Sequence, residues 1–351
     1  MKINYVVLGI IILLLVCSCT QQEENSRSAR QTQRASESDT AREIASDTNY
    51  VNFALNVHDW VFPEQSADAV LKTIEIHERY NVPVDIFVDD QVFQIYVEEY
   101  PEVIQKLKSS SVVTVCYHIR PPTPTYSHFD IFDLSTKTED ELYDILLEYE
   151  EHAINLETAL PEEKAGGYEF VKDTIGYAPV TVSLLFNTDT EKKVMAQIYK
   201  EKGAKLGITH GKTIKSRQTL YGMLLRPEDI EIKWYEQLYR YMNGLVTAES
   251  YLTSQIEQAG NGPGLFVNLK MHENNYYTSG TTFDPVYILN ANRETPQNPP
   301  YDLSLGEKNA EYKTAEETEA LWQWYEDGVA YVAEHPELYT AVGAEDIAEM
   351  V

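Results

Sequence analysis

Val51-Asn52-Phe53-Ala54-Leu55-Asn56-Val57-His58-Asp59-Trp60 decides the fold. Its first seven residues read as a buried strand, and the run stops on a histidine followed by an acid. The same ending recurs in Cys116-Tyr117-His118, in Ile208-Thr209-His210 and in Lys270-Met271-His272-Glu273. Four of the eight histidines thus sit where an apolar run ends. If those runs are parallel strands of one α/β sheet, four imidazoles and at least one carboxylate converge on the rim where such folds carry their functional crevice. His77, His128, His152 and His335 fall in helical or loop segments and need no special account.

Strand-like and helix-like segments alternate outward from this stretch. Strands are expected at 51–57, 84–88, 112–117, 180–186, 204–209, 220–225, 265–271 and 339–342. Helices are expected at 66–80, 95–107, 139–160, 190–202, 227–241, 247–258 and 315–334. In the first helix Ala69, Val70, Thr73, Ile76 and His77 recur at three-to-four spacing, and Val112-Val113-Thr114-Val115-Cys116-Tyr117 has the composition of a strand covered on both faces. Seven or eight βα units with no internal repeat and no interior linker make one domain, from 49 to 351.

The amino terminus is different. Met1-Lys2, the apolar stretch 6–16 and Val16-Cys17-Ser18-Cys19 have the layout of a bacterial lipoprotein signal, 1–18, with Cys19 as the residue that becomes lipidated. The segment 19–48 is polar, has no aromatic residue and is expected to be a disordered tether. These readings place the soluble domain outside the cytoplasm, in the bacterial cell envelope at the outer membrane or cell surface, touching membrane through the N-terminal lipid alone. Cys116 is the only cysteine beyond the signal and its lipid site, so no disulfide framework supports the domain.

Fifty-six acids against 28 Lys and Arg give a net charge of −28, which disfavours nucleic acid and other polyanions as partners. Twenty-five tyrosines suit sugar rings, each offering a flat face and a polar tip. Two long segments, 118–138 and 273–314, follow histidine-terminated strands, and segments of that length in a compact domain are usually functional. Tyr276, Tyr277, Phe283, Tyr287 and Tyr301 in the second could wall a polymeric ligand. Trp60, Asp90, Tyr126, Tyr276 and Tyr277 are the candidate substrate-binding residues.

Asp59 and His118 on two strand ends could hold a divalent metal such as zinc, leaving a position open for water. Here the order of elements resembles the polysaccharide deacetylases, whose distorted β/α barrel opens with a strand ending in T-F-D-D-G. On that motif Asp59 takes the place of the metal-binding aspartate and His58 that of the general base. His118 takes the first histidine of the family's H-S/T-x-x-H, while Pro122 stands where the second would be, and the arginine-and-proline motif survives only as an echo at Tyr177-Ala178-Pro179. Val267-Asn268-Leu269-Lys270-Met271-His272 is similar to the late strand whose histidine is the general acid.

The resemblance implies a distorted (β/α)7-8 barrel, a divalent metal, zinc by preference, and removal of acetyl groups from a polysaccharide or oligosaccharide. Its third metal ligand is open among His210, His272 and Asp90. Arg120 would orient His58 or Asp59 or stabilise an oxyanion. Glu273, as a strand neighbour of His272, would point away from it. Two further readings stand beside this one: a catalytically inactive carbohydrate-binding lipoprotein, and a glycoside hydrolase using Asp59 with Asp90.

Overall fold

A computed structural model describes residues 47–119, 122–124, 133–209, 213–214, 217–260, 262–279, 298–301 and 311–351. The proposed signal, Cys19 and the tether up to residue 46 lie outside them, as do Arg120, Tyr126 and His210. Among the described residues no helix is long and apolar enough to cross a membrane.

β1 (Asn49–Val57) is the hub. It pairs in parallel with β11 (Phe266–His272) on one edge. It also pairs with β2 (Val84–Val88) through its carboxyl half and with β12 (Tyr339–Ala341) through its amino half. The sheet runs β10 (Ile230–Lys233), β11, β1, β2, β3 (Val113–Tyr117), β6 (Thr181–Ser183), β7 (Leu206–Ile208), β9 (Met223–Leu225) and β8 (Thr219–Leu220). All of these ladders are parallel except the β8–β9 hairpin. A separate hairpin joins β4 (His152–Ile154) and β5 (Pro161–Ala165).

The sheet is curled. Arg226 directly follows β9, five strand steps from β1, a separation of roughly 24 Å on a flat sheet at ~4.8 Å per strand. Yet its Nη1 donates to Asn52 Oδ1 of β1 at 3.0 Å. The short link from Arg226 to Asp229 crosses the remaining gap: Arg226 N bonds Gly207 O of β7, and Asp229 N bonds Phe266 O at the start of β11. No ladder joins β9 to β10 among the described residues. The expected distorted β/α barrel is therefore present, with its ladder open at this seam.

Alternation along the strands sorts the core into two faces. Val51, Phe53, Leu55 and Val57 pack outward against helices, including α1 (Pro63–Tyr80) and α9 (Ala315–Glu334), in the main apolar cluster. Inward, Asn52, Ala54 and Asn56 are level with Asn268, Lys270 and His272 of β11. Asp85 and Phe87 of β2 lie beside Ala54 and Asn56, and Thr114 and Cys116 of β3 lie beside Asp85 and Phe87. A small apolar layer of Ala54, Phe87, Cys116 and Ile208 thus separates a polar cluster at the amino end from the histidines at the carboxyl end.

Several expected elements change in instructive ways. The 95–107 helix is two, α2 (Asp90–Glu99) and α3 (Pro101–Ser109), because Pro101 cannot continue α2 but is suited to begin a new helix. The helix expected to run to 160 is α4 (Glu139–Glu151), after which the chain turns into the β4–β5 hairpin. A further helix, α5 (Gly167–Ile175), then begins at a tight glycine pair: a Cβ on Gly166 would lie 2.2 Å from Ala153 N. The helix expected at 227–241 is mostly β10, a 3₁₀ turn and one short helical turn. The expected strand 220–225 is the β8–β9 hairpin.

Candidate functional site

Strand register delivers the site. β1 and β11 end level with each other, Asn56 opposite His272, so His58 emerges just beyond the last rung next to the imidazole of its neighbour. His58 Nε2 and His272 Nδ1 are 2.9 Å apart, an N–H···N hydrogen bond in which either ring can hold the proton. The ring centroids lie 5.0 Å apart at 62°. His58 is fully buried and His272 half-buried, so His272 is the more exposed end of the pair. Tyr235, in the 3₁₀ turn after β10, stands edge-on to His272 at 6.1 Å.

His118 follows β3, and its backbone N–H bonds Val88 O at 2.9 Å. Its Nδ1 donates to the Ile119 carbonyl at 2.7 Å, which fixes the tautomer with the proton on that nitrogen. The His118 ring is 6.0 Å from that of His58. Three of the four strand-end histidines thus share one rim, and the fourth, His210, lies outside the described residues.

Asp59 is held from both sides. Its Oδ1 accepts from Val61 N at 3.1 Å and Phe62 N at 3.2 Å, closing the turn after β1, and its Oδ2 accepts from Tyr277 Oη at 2.7 Å. Burial, helped by the Asp59 charge, holds the Tyr277 phenol well above its ordinary range, so it remains a donor. Tyr277, expected as a sugar contact, is therefore tied to the acid at the site.

Glu273 corrects the sequence reading most sharply. The strand ends at His272, and Glu273 begins a 3₁₀ turn (Glu273–Tyr276), so alternation no longer sends its side chain away. Its fully buried Oε1 accepts from the backbone N–H groups of both His58 and Asp59. Burial above all, and then the Asp59 charge, raise this carboxyl well above the ordinary carboxylate range. Strict alternation hid Glu273, and nothing in its local sequence marks the turn that brings it in.

Other candidates lie elsewhere. Tyr276 is not a ligand wall: it is 1% exposed and stacks on Trp322 with centroids 3.5 Å apart. Trp60 is buried in the main core cluster. Asp90 turns toward α5, where its Oδ2 accepts from Gly167 N at 3.0 Å. Burial pushes its pKa up to about 6, and that of nearby Glu150 up to about 7. Glu150 accepts from Tyr199 Oη at 2.8 Å. Asp90 thus belongs to a buried acid and tyrosine cluster rather than pairing with Asp59 across a cleft.

The donors among the described residues do not by themselves make the zinc site that the resemblance implies, and His210, a candidate ligand, lies outside those residues. Among the described residues no three His, Cys, Asp or Glu side chains are grouped to hold a metal ion. Asp59 Oδ1 accepts two backbone N–H groups and Oδ2 accepts the Tyr277 hydroxyl. Pro122, where the family has its second histidine, is buried in a turn and offers no ligand atom.

No protein-family profile matches this chain, and no curated protein matches it. Solved structures do. One similar structure is a Mycobacterium smegmatis protein assigned as a polysaccharide deacetylase, 14% identical over 87% of this chain and 91% of that one, with a TM-score of 0.41. Another is a 4-alpha-glucanotransferase from Thermococcus litoralis, 12% identical over 87% of this chain and 41% of that one, TM-score 0.45. A third is a pseudoenzyme of the CE4 family from Bacillus anthracis, 11% identical over 66% of this chain and 58% of that one, TM-score 0.33. Likeness at this level leaves the chemistry to be argued from the site's own atoms.

Proposed function

We propose that this chain is a carbohydrate-acting hydrolase that removes acyl groups, acetyl above all, using the His58–His272 pair to move protons. The observation that carries the reading is the 2.9 Å Nε2···Nδ1 contact between imidazoles from two different strand ends. Imidazole titrates near neutral pH, and two rings sharing one hydrogen bond can take up a proton at the exposed end and stabilise it from the buried end. Water attacks the acyl carbonyl carbon while its proton passes to the pair. The tetrahedral species then collapses, the carbon–nitrogen or carbon–oxygen bond breaks, and the pair returns the proton to the departing amine or alkoxide. The products are acetate and a freed sugar amine or hydroxyl. His272, less buried than His58, is the residue that meets substrate, beside Tyr235. The net charge of −28 favours a neutral glycan over a polyanionic one. Arg120 is the proposed oxyanion partner, and lipid on Cys19 the proposed envelope anchor.

The test is acetate release from N-acetylated and O-acetylated oligosaccharides, with His272→Ala as control. Release that falls about 100-fold or more in the variant supports the reading. A second reading, a glycan-binding protein without catalysis, is favoured by the three protein donors that already engage the carboxylate of Asp59. Glycan binding with no acetate release from any substrate would establish it and reject the first.

A further inference from the structure

Glu273 occupies an unusual place: it directly follows His272, yet its carboxyl group bonds the backbone that carries His58. The β1–β11 ladder ends at Asn56 and His272, so no further rung holds the chain at His58 and Asp59. In place of a rung, Glu273 Oε1 receives both backbone N–H groups. The same oxygen lies 4.0 Å from His58 Nδ1. The side chain is fully buried, where two N–H groups without an acceptor would be costly. One dipeptide therefore supplies one imidazole of the pair and fastens the support of the other.

We infer that Glu273 is a positioning residue whose acceptor oxygen extends the β1–β11 ladder by side chain and holds His58 Nε2 within hydrogen-bonding distance of His272 Nδ1. The role asks for an oxygen at one place, not for a negative charge. Glu273→Gln keeps that oxygen, Glu273→Asp keeps a carboxyl but withdraws it by one methylene, and Glu273→Ala removes it. The kinetic consequence rests on the hydrolase reading; the geometric one does not.

Two readouts on the full chain separate them. The first is acetate release from an N-acetylated hexosamine oligomer, and the second the ¹⁵N–¹⁵N coupling across the imidazole hydrogen bond in histidine-labelled protein. The expected result is that Glu273→Asp and Glu273→Ala lose the coupling and about 100-fold in kcat, as displacements near 1 Å do, with KM within about twofold. Glu273→Gln keeps the coupling and stays within about fivefold of wild-type kcat. If Glu273→Ala does not fold, the opposed behaviour of Gln and Asp decides. Coupling that survives in Glu273→Asp, or is lost in Glu273→Gln, or is absent from the wild type, overturns the inference. Coupling that follows the expected pattern in a wild type releasing no acetate overturns the hydrolase reading and leaves Glu273 in its role.

Discussion

The two ends of the barrel interior are built by the same strands and hold opposite kinds of polar chemistry. At the amino end, Asn52 of β1 donates to Asp85 Oδ2 of β2 at 2.8 Å and to Val342 O at 2.9 Å, and accepts from Arg226. Asp85 Oδ1 caps the C-terminal helix α10 (Ala344–Met350) through Ala344 N, and Asn268 of β11 donates to Glu228. Arg226 lies 3.7 Å from Asp85 and 3.6 Å from Glu228. This end is a fastening: a permanent cation and amides hold two buried acids and draw opposite edges of the curled sheet together. Six residues along β1 and four along β11, the same face carries His58 and His272, hydrogen-bonded to each other. Period-two alternation alone gives both ends a polar inward position; residue type makes one a bolt and the other a site.

Breaking the bolt should have the largest effect on the fold. Arg226→Leu leaves Asp85 and Glu228 buried without their cation, and should destabilise the protein by about 3–5 kcal/mol in chemical denaturation. Next comes pH. Burial, opposed by Arg226, pushes the Asp85 carboxyl up to about 6. A carboxyl with a raised pKa holds its proton more tightly in the folded than in the unfolded chain. Its stabilising contribution is complete below about pH 4 and is lost as the pH rises through about 6. Asp90 follows the same sign near pH 6 and Glu150 near pH 7. Denaturation followed from pH 4 to 8 should show these groups eroding stability as pH rises, with on the order of 3 kcal/mol from Asp85 alone. Asp85→Asn should flatten its share of the slope. The rim should matter least to the fold: His272→Ala takes away the partner of the buried His58 ring nitrogen and should cost about 1–3 kcal/mol by the same measurement. A bolt variant that is stable, or a rim variant that unfolds, would erase the contrast.

The fold was legible where residues act locally. β1, β2 and β3 announce themselves as apolar runs, and the helix 315–334 is bounded by the Thr314–Glu317 capping box that starts it. β10 was hidden because Ile230-Glu231-Ile232-Lys233 is only four residues long and runs into a 3₁₀ turn, so a wider window reads as helix. Of the site, the convergence of His58, His118 and His272 followed from strand-end position. The burial of Tyr276 did not, since its stacking partner Trp322 lies 46 residues away and no local pattern reports it. Asp59 was visible as a carboxylate at the right strand end, but its engagement by Tyr277 depends on a contact 218 residues distant.

In the proposed chemistry His58 and His272 act as one unit. A double-mutant cycle on the rate of acetate release, comparing wild type, His58→Ala, His272→Ala and the double variant, tests it most directly. Groups that act as a unit are strongly non-additive. Either single variant should lose roughly 10²–10⁴-fold and the double variant little more. Losses that multiply, or single variants that keep the wild-type rate, would contradict it.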